Sequence, residues 1–127
     1  MANGDLGPSD DEDLEASGPG PMSYIEVEPD LLGRIVLVVH GSVDLPEAGE
    51  LRAHLTEATS GDCPGVVVDL TDVHFMGSSG FGVLVQAHQE LEGAGRSLHI
   101  RGASPTIRRA FGITQLDRLL LFEESAG

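Results

Sequence analysis

Two adjacent serines, Ser78 and Ser79, stand between Gly77 and Gly80, where a strand-like run gives way to a helix-like one. A hydroxyl at that point has two chemistries open to it. It can accept hydrogen bonds from the orphan N–H groups of the first helical turn. It can also carry a phosphoryl group, which the positive end of the helix dipole accommodates. Asp44, at the head of another helix-like run, and Asp69 and Asp72, flanking the expected end of the central strand, are the acids that could join it. If Ser78 and Asp44 are caps and nothing more, each is worth about 1 kcal/mol.

Most catalytic patterns are excluded by what the chain lacks. It has no Lys, hence no P-loop lysine and no Schiff-base lysine. Gly-Ser-Ser-Gly is not the G-x-S-x-G of a nucleophile elbow. Gly77, Gly80 and Gly82 do not fit a dinucleotide G-x-G-x-x-G pattern. Histidines 40, 54, 74, 88 and 99 form no i, i+4 ligand pair, and Cys63 is the lone cysteine. We therefore expect no catalytic residues, no metal site and no cofactor.

The elements that must hold the serines can be read in order. Val66-Val67-Val68 opens a β-branched run of the sort found in a strand buried on both faces. From Phe81 the positions 81, 84, 85, 88 and 91 predict one inward helix face. Before this, Tyr24–Glu28 reads as a strand, Pro29-Asp30 and Gly33 as a hairpin turn, and Arg34–His40 as a second, buried strand. Gly41-Ser42-Val43 is expected to be a loop. Asp44-Leu45-Pro46-Glu47 is a capping box, leading a helix with Ala48, Leu51, Leu55 and Ala58 inward. Ser97–Arg101 predicts a short strand. Ser104-Pro105 starts a third helix with Ile107, Ala110 and Phe111 inward, Arg108 and Arg109 in water, and an end at Gly112. Leu119–Phe122 is expected as a last, edge strand.

The order β-β-α-β-α-β-α-β predicts an α/β domain, a mostly parallel sheet with helices packed against it. In such a sheet the loops after the strand C-termini share one edge, where functional groups collect. That places the Ser42–Asp44 loop beside the Gly77–Gly80 loop.

Composition bounds the partners. The net charge of −14 and the absence of Lys argue against direct nucleic-acid binding. No stretch approaches the roughly 18 apolar residues of a membrane span, and no apolar leader is visible at the N-terminus. The expectation is a soluble, cytoplasmic protein. Residues 1–21 hold the acidic run Ser9–Glu15 and a Gly/Pro linker, which predicts a disordered acidic tail ahead of a domain at 22–124. A solvated tail and a docking or self-shielding arm are both open for it.

From about Met22 to Phe122 the chain resembles the STAS domain family, and within it the bacterial anti-sigma factor antagonists. The resemblance rests on Gly41-Ser42-Val43-Asp44, on Val68-Asp69-Leu70 with Phe75-Met76-Gly77-Ser78-Ser79-Gly80-Phe81-Gly82, and on Gly102-Ala103-Ser104-Pro105 leading into Arg108–Ile113. It implies a single STAS-like domain that binds an anti-sigma factor, itself a serine kinase, and so releases a sigma factor. It implies phosphorylation at Ser78 as the off switch, a serine phosphatase as its reversal, and a partner surface at Ser42, Asp44, Gly77, Ser78, Ser79 and Gly80. Gly77 stands where the family commonly carries an acid. A non-enzymatic interaction or ligand-binding subunit of a transporter or sensory assembly is the alternative.

Overall fold

A computed structural model describes residues 23–123, so the expectations for residues 1–21 lie outside the described residues. The elements are β1 (Tyr24–Pro29), β2 (Ile35–Val43), α1 (Leu45–Thr59), β3 (Gly65–Met76), α2 (Ser78–Gly93), β4 (Ser97–Arg101), α3 (Pro105–Ile113), a 3-10 turn (Leu116–Arg118) and β5 (Leu121–Glu123). They form one five-stranded sheet in the order β1-β2-β3-β4-β5. β1 runs antiparallel to β2, and the other three pairings are parallel. The predicted α/β architecture and element order stand.

The β1–β2 hairpin is closed by its own residues. Asp30 Oδ1 accepts from the N–H groups of Leu32 (2.9 Å) and Arg34 (2.8 Å). Gly33 takes φ +82, a conformation that a side chain would strain. The sheet then contributes Leu37, Val39, Val66, Val68, Leu98 and Ile100 to a core against Leu51 and Leu55 of α1, Leu84 and Leu91 of α2, and Phe111 of α3. The alternate strand positions face away from the helices. An ionic chain links five residues there, running from Asp30 to Arg34, on to Glu123, then Arg101 and Asp69.

Both strands leading to the serine loop are longer than expected. Gly41-Ser42-Val43 is not a loop but the end of β2, with Ser42 opposite Phe75 and Val43 opposite Met76. Two register shifts let β2 and β3 stay paired through this Gly-Ser stretch. Asp69 and Asp72 consequently lie inside β3 rather than flanking its end. Near the C-terminus, α3 continues one residue past Gly112, and the 3-10 turn delays the last strand until Leu121. On α2, Val85 is only partly buried, and Ala87 joins Phe81, Leu84, His88 and Leu91 in the interior.

Candidate functional site

The serine loop is tied to the end of β2. The Gly77 N–H donates to the Val43 carbonyl at 2.8 Å. Asp44, the next residue, caps α1, and its N–H donates to the Glu47 carboxylate at 3.0 Å as the capping box predicts. A Cβ placed on Gly77 would lie 3.1 Å from Asp44 Oδ1 and 3.7 Å from the Phe75 ring. The two loops predicted to share an edge are therefore in contact. Gly77 has φ −84 and ψ 174, ordinary extended backbone, so its lack of a side chain is not a conformational demand. It lets the loop approach the Asp44 carboxylate closely, where a side chain would crowd it.

Gly77 is the N-cap of α2, which makes Ser78 the first helical residue and Ser79 the second. Among the described residues no side chain caps this helix, so the capping role open to Ser78 is not the one it takes. Its first turn carries no acid. Ser78 is exposed, and Ser79 is half-buried. Ser104 shows what a capping serine does in this fold, its Oγ accepting from the Ile107 N–H at 3.2 Å.

The other residues expected at the site divide by position. Ser42 is half-buried in β2, where its N–H and C=O both bond the Ser23 hydroxyl at 3.1 Å. Gly80 is buried. A Cβ there would meet Met76 Cγ and Val43 Cγ1, each at 2.9 Å. Its role is to let the first turn of α2 sit directly on the sheet end. Asp69 and Asp72 do not join the serines. The Asp69 carboxylate accepts from the Thr71 N–H (2.9 Å), the Thr71 hydroxyl (2.6 Å) and Arg101 Nε (3.2 Å). Burial pushes the Asp69 carboxyl up, but those bonds and the Arg101 charge together hold it below its ordinary value. Asp72 lies 2.8 Å from His40 Nδ1, whose Nε2 is 2.8 Å from Glu26 and whose ring stacks on Tyr24.

One feature of the site escaped the sequence. A groove of about 580 Å³ starts at Ser78 and follows the outer face of α2 past Gly82, Val85, Gln86 and Gln89 to Thr114 and Leu116. Positions 78, 82, 85 and 89 recur at helical spacing, so the α2 wall was present in the pattern. The opposite wall was not, because it comes from the segment after α3. Leu45 and Phe75, both exposed and apolar, lie in the segments that meet at Gly77. Among the described residues no group of three or more His, Cys, Asp or Glu side chains could hold a metal ion. No described helix is long and apolar enough to cross a membrane.

The STAS domain family profile matches residues 25–127. The chain belongs to the STAS domain family. Among solved structures this STAS domain is similar to an anti-sigma factor antagonist from Mycobacterium paratuberculosis. That protein is 27% identical, over 87% of this chain and 92% of the other, with a TM-score of 0.75. The fold is also that of the anti-sigma factor antagonist SpoIIAA in its unphosphorylated form, at 22% identity and TM-score 0.66 over 81% of this chain and 90% of that one. The phosphorylated form of Bacillus SpoIIAA superposes with the same identity and TM-score, over 81% and 92% of the two chains.

Proposed function

We propose that this STAS domain is an anti-sigma factor antagonist whose Ser78 face binds an anti-sigma factor. The finer reading is that the anti-sigma factor is a serine kinase that phosphorylates Ser78, and that a serine phosphatase reverses the modification. In this reading the domain spans 22–124 and acts in the cytoplasm by binding, with no catalysis and no cofactor. Ser42, Asp44, Gly77, Ser78 and Ser79 belong to the partner-facing edge, with Gly80 supporting them from below.

The observation that carries the reading is the position of Ser78. Its side chain is exposed and caps nothing, at the first residue of α2 and at the head of a groove. A phosphoryl group there adds about −1.5 to −2 charges. The helix N-terminus tolerates an anion, so the fold should survive. A partner surface fitted to a hydroxyl should not. Unit charges about 4 Å apart at an effective dielectric near 20 interact by roughly 4 kcal/mol. Half of that lost at an interface weakens binding about 30-fold.

The test is intact mass after incubation with ATP and candidate serine kinases from the same genome, on wild type, Ser78→Ala and Ser79→Ala. One phosphate, lost only with Ser78→Ala, is expected. A phosphate that persists in Ser78→Ala overturns the switch. The bare Gly77, where the family commonly carries an acid, favours a second reading as an interaction or ligand-binding subunit of a transporter or sensory assembly. Stable co-purification with such a subunit, together with no phosphate, would select it.

A further inference from the structure

None of the eight residues that line the Ser78 groove carries a charge, on a chain with 21 acids and seven arginines. Its polar side chains are all neutral, the hydroxyls of Ser78 and Thr114 and the amides of Gln86 and Gln89. Arg52 reaches Gln86 from α1 but does not line the groove. A charged partner face laid here would lose hydration and find no counter-charge, whereas an uncharged one loses nothing of the kind. The α2 wall, from Ser78 to Gln89, is about three turns or roughly 16 Å long. Its positions 78, 82, 85 and 89 form one ridge, the shape against which a second helix packs.

Gly82 lies in the middle of this wall, one turn beyond Ser78. Glycine inside a helix is less stable than alanine. Nothing in the fold requires it here, because the backbone is ordinary helix and a Cβ would meet nothing within 4 Å. Gly80, by contrast, is demanded by Met76 and Val43. Gly49 of α1 is as open as Gly82, so a bare helical glycine alone assigns nothing. What sets Gly82 apart is its place in the groove beside the exposed Ser78. There the missing side chain lets a second backbone come closer to α2 than any other residue would allow.

We propose that Gly82 is the point of closest approach for a helix of the anti-sigma factor, which lays an uncharged face along α2. This rests on the antagonist reading and names the chemistry of its partner face. It also accounts for the effect of a phosphate on Ser78. A helix held close at Gly82 passes within one turn of Ser78, and an uncharged face offers the phosphate no counter-charge.

The test measures the affinity of candidate anti-sigma factors from the same genome for unphosphorylated wild type, Gly82→Ala, Gly82→Leu and Gly49→Leu. Gly82→Leu should weaken binding about 10- to 100-fold, as overpacking at a close contact does. Gly82→Ala should weaken binding less while raising the urea midpoint, a split that a purely structural role would not give. It decides the matter if Gly82→Leu does not fold. Gly49→Leu should bind as wild type does. Gln89→Glu and Gln89→Arg should both weaken binding. Full affinity in the Gly82 variants overturns the inference and leaves the antagonist reading standing. An equal loss in Gly49→Leu overturns it too, and tighter binding by either Gln89 variant overturns the uncharged face. Self-association of wild type that Gly82→Leu abolishes assigns the groove to a second copy instead. If wild type binds no anti-sigma factor, the antagonist reading falls and this occupant falls with it.

Discussion

One methyl group added at Gly80 and one added at Gly82, two residues apart on α2, should act in opposite directions. Replacing Gly by Ala in a helix gains about 0.5–1 kcal/mol at either position, from backbone entropy. What differs is the space. A Cβ at Gly82 has nothing within 4 Å, so Gly82→Ala should show the gain alone. A Cβ at Gly80 lies 2.9 Å from both Met76 Cγ and Val43 Cγ1. Met76 can swing aside, but the short, branched Val43 is fixed in the last pair of the β2–β3 ladder. Overpacking of this kind costs about 1–3 kcal/mol. The helix gain is common to both variants, so the stability of Gly82→Ala minus that of Gly80→Ala isolates the packing cost, about 1–3 kcal/mol. Urea titrations of the two variants and wild type measure it, provided the slopes agree. Each kcal/mol also moves the melting midpoint of a domain this size by about 4–8 °C. If Gly80→Ala is as stable as Gly82→Ala, the start of α2 is not seated on Val43 and Met76, and the account of how Ser78 is placed fails.

The two helix-start serines should separate in the same assay. Ser104→Ala, which removes the bond to the Ile107 N–H, should cost about 1 kcal/mol, whereas Ser78→Ala, which removes no cap, should stay within about 0.5 kcal/mol of wild type. Acid should weaken the fold through the ionic chain. The Arg34 hydrogen bond outweighs burial and holds Glu123 below its ordinary value of 4.5, and Asp69 is held below 3.8 against its own burial. A carboxylate with a lowered folded-state pKa contributes stability that is full above its unfolded value and is lost as pH falls through the folded one. Urea midpoints should therefore drop as pH falls from about 5 toward 3, and more gently in Asp69→Asn and Glu123→Gln. A wild-type slope kept by both variants would remove these two groups as the cause.

The fold was legible because its signals are local and mutually consistent. The Val66–Val68 run, the Asp44–Glu47 capping box and the Ser104-Pro105 start each name an element without help from the rest of the chain. Gly41-Ser42-Val43 misled because Gly and Ser signal a turn. What keeps them in β2 is non-local, namely pairing with Phe75 and Met76 and the Ser23 hydroxyl on Ser42. Extending β3 to Met76 then moves the N-cap onto Gly77 and the serines into the helix. A shift of one residue decides whether the Ser78 hydroxyl is spent on its own backbone or left for a partner. Periodicity fixes a helix face to within a turn, but not its first residue.

The same distinction separates the acids. Asp44, Asp69 and Asp72 look alike in sequence, each a carboxylate near the end of a strand. Asp69 is paired with Arg101 because β3 and β4 align those two residues side by side, and Asp72 meets His40 across a register shift. Both partners are more than 30 positions away in the chain, so spacing could not have found them. Asp44 differs because its carboxylate faces a glycine. The geometry thus sets Asp44 against Gly77, the residue before Ser78, and in the proposed reading an arriving partner meets both the acid and the serine. A positive group on the partner would gain from Asp44 whether or not Ser78 is modified, and a phosphate on Ser78 would add to the same negative field. For a partner to be released by phosphorylation, its contact with Ser78 must therefore be a close fit to the hydroxyl or place like charge beside it, and not rest on charge attraction. A partner that binds this edge chiefly through a cation would be held more tightly by the phosphorylated protein, not released by it.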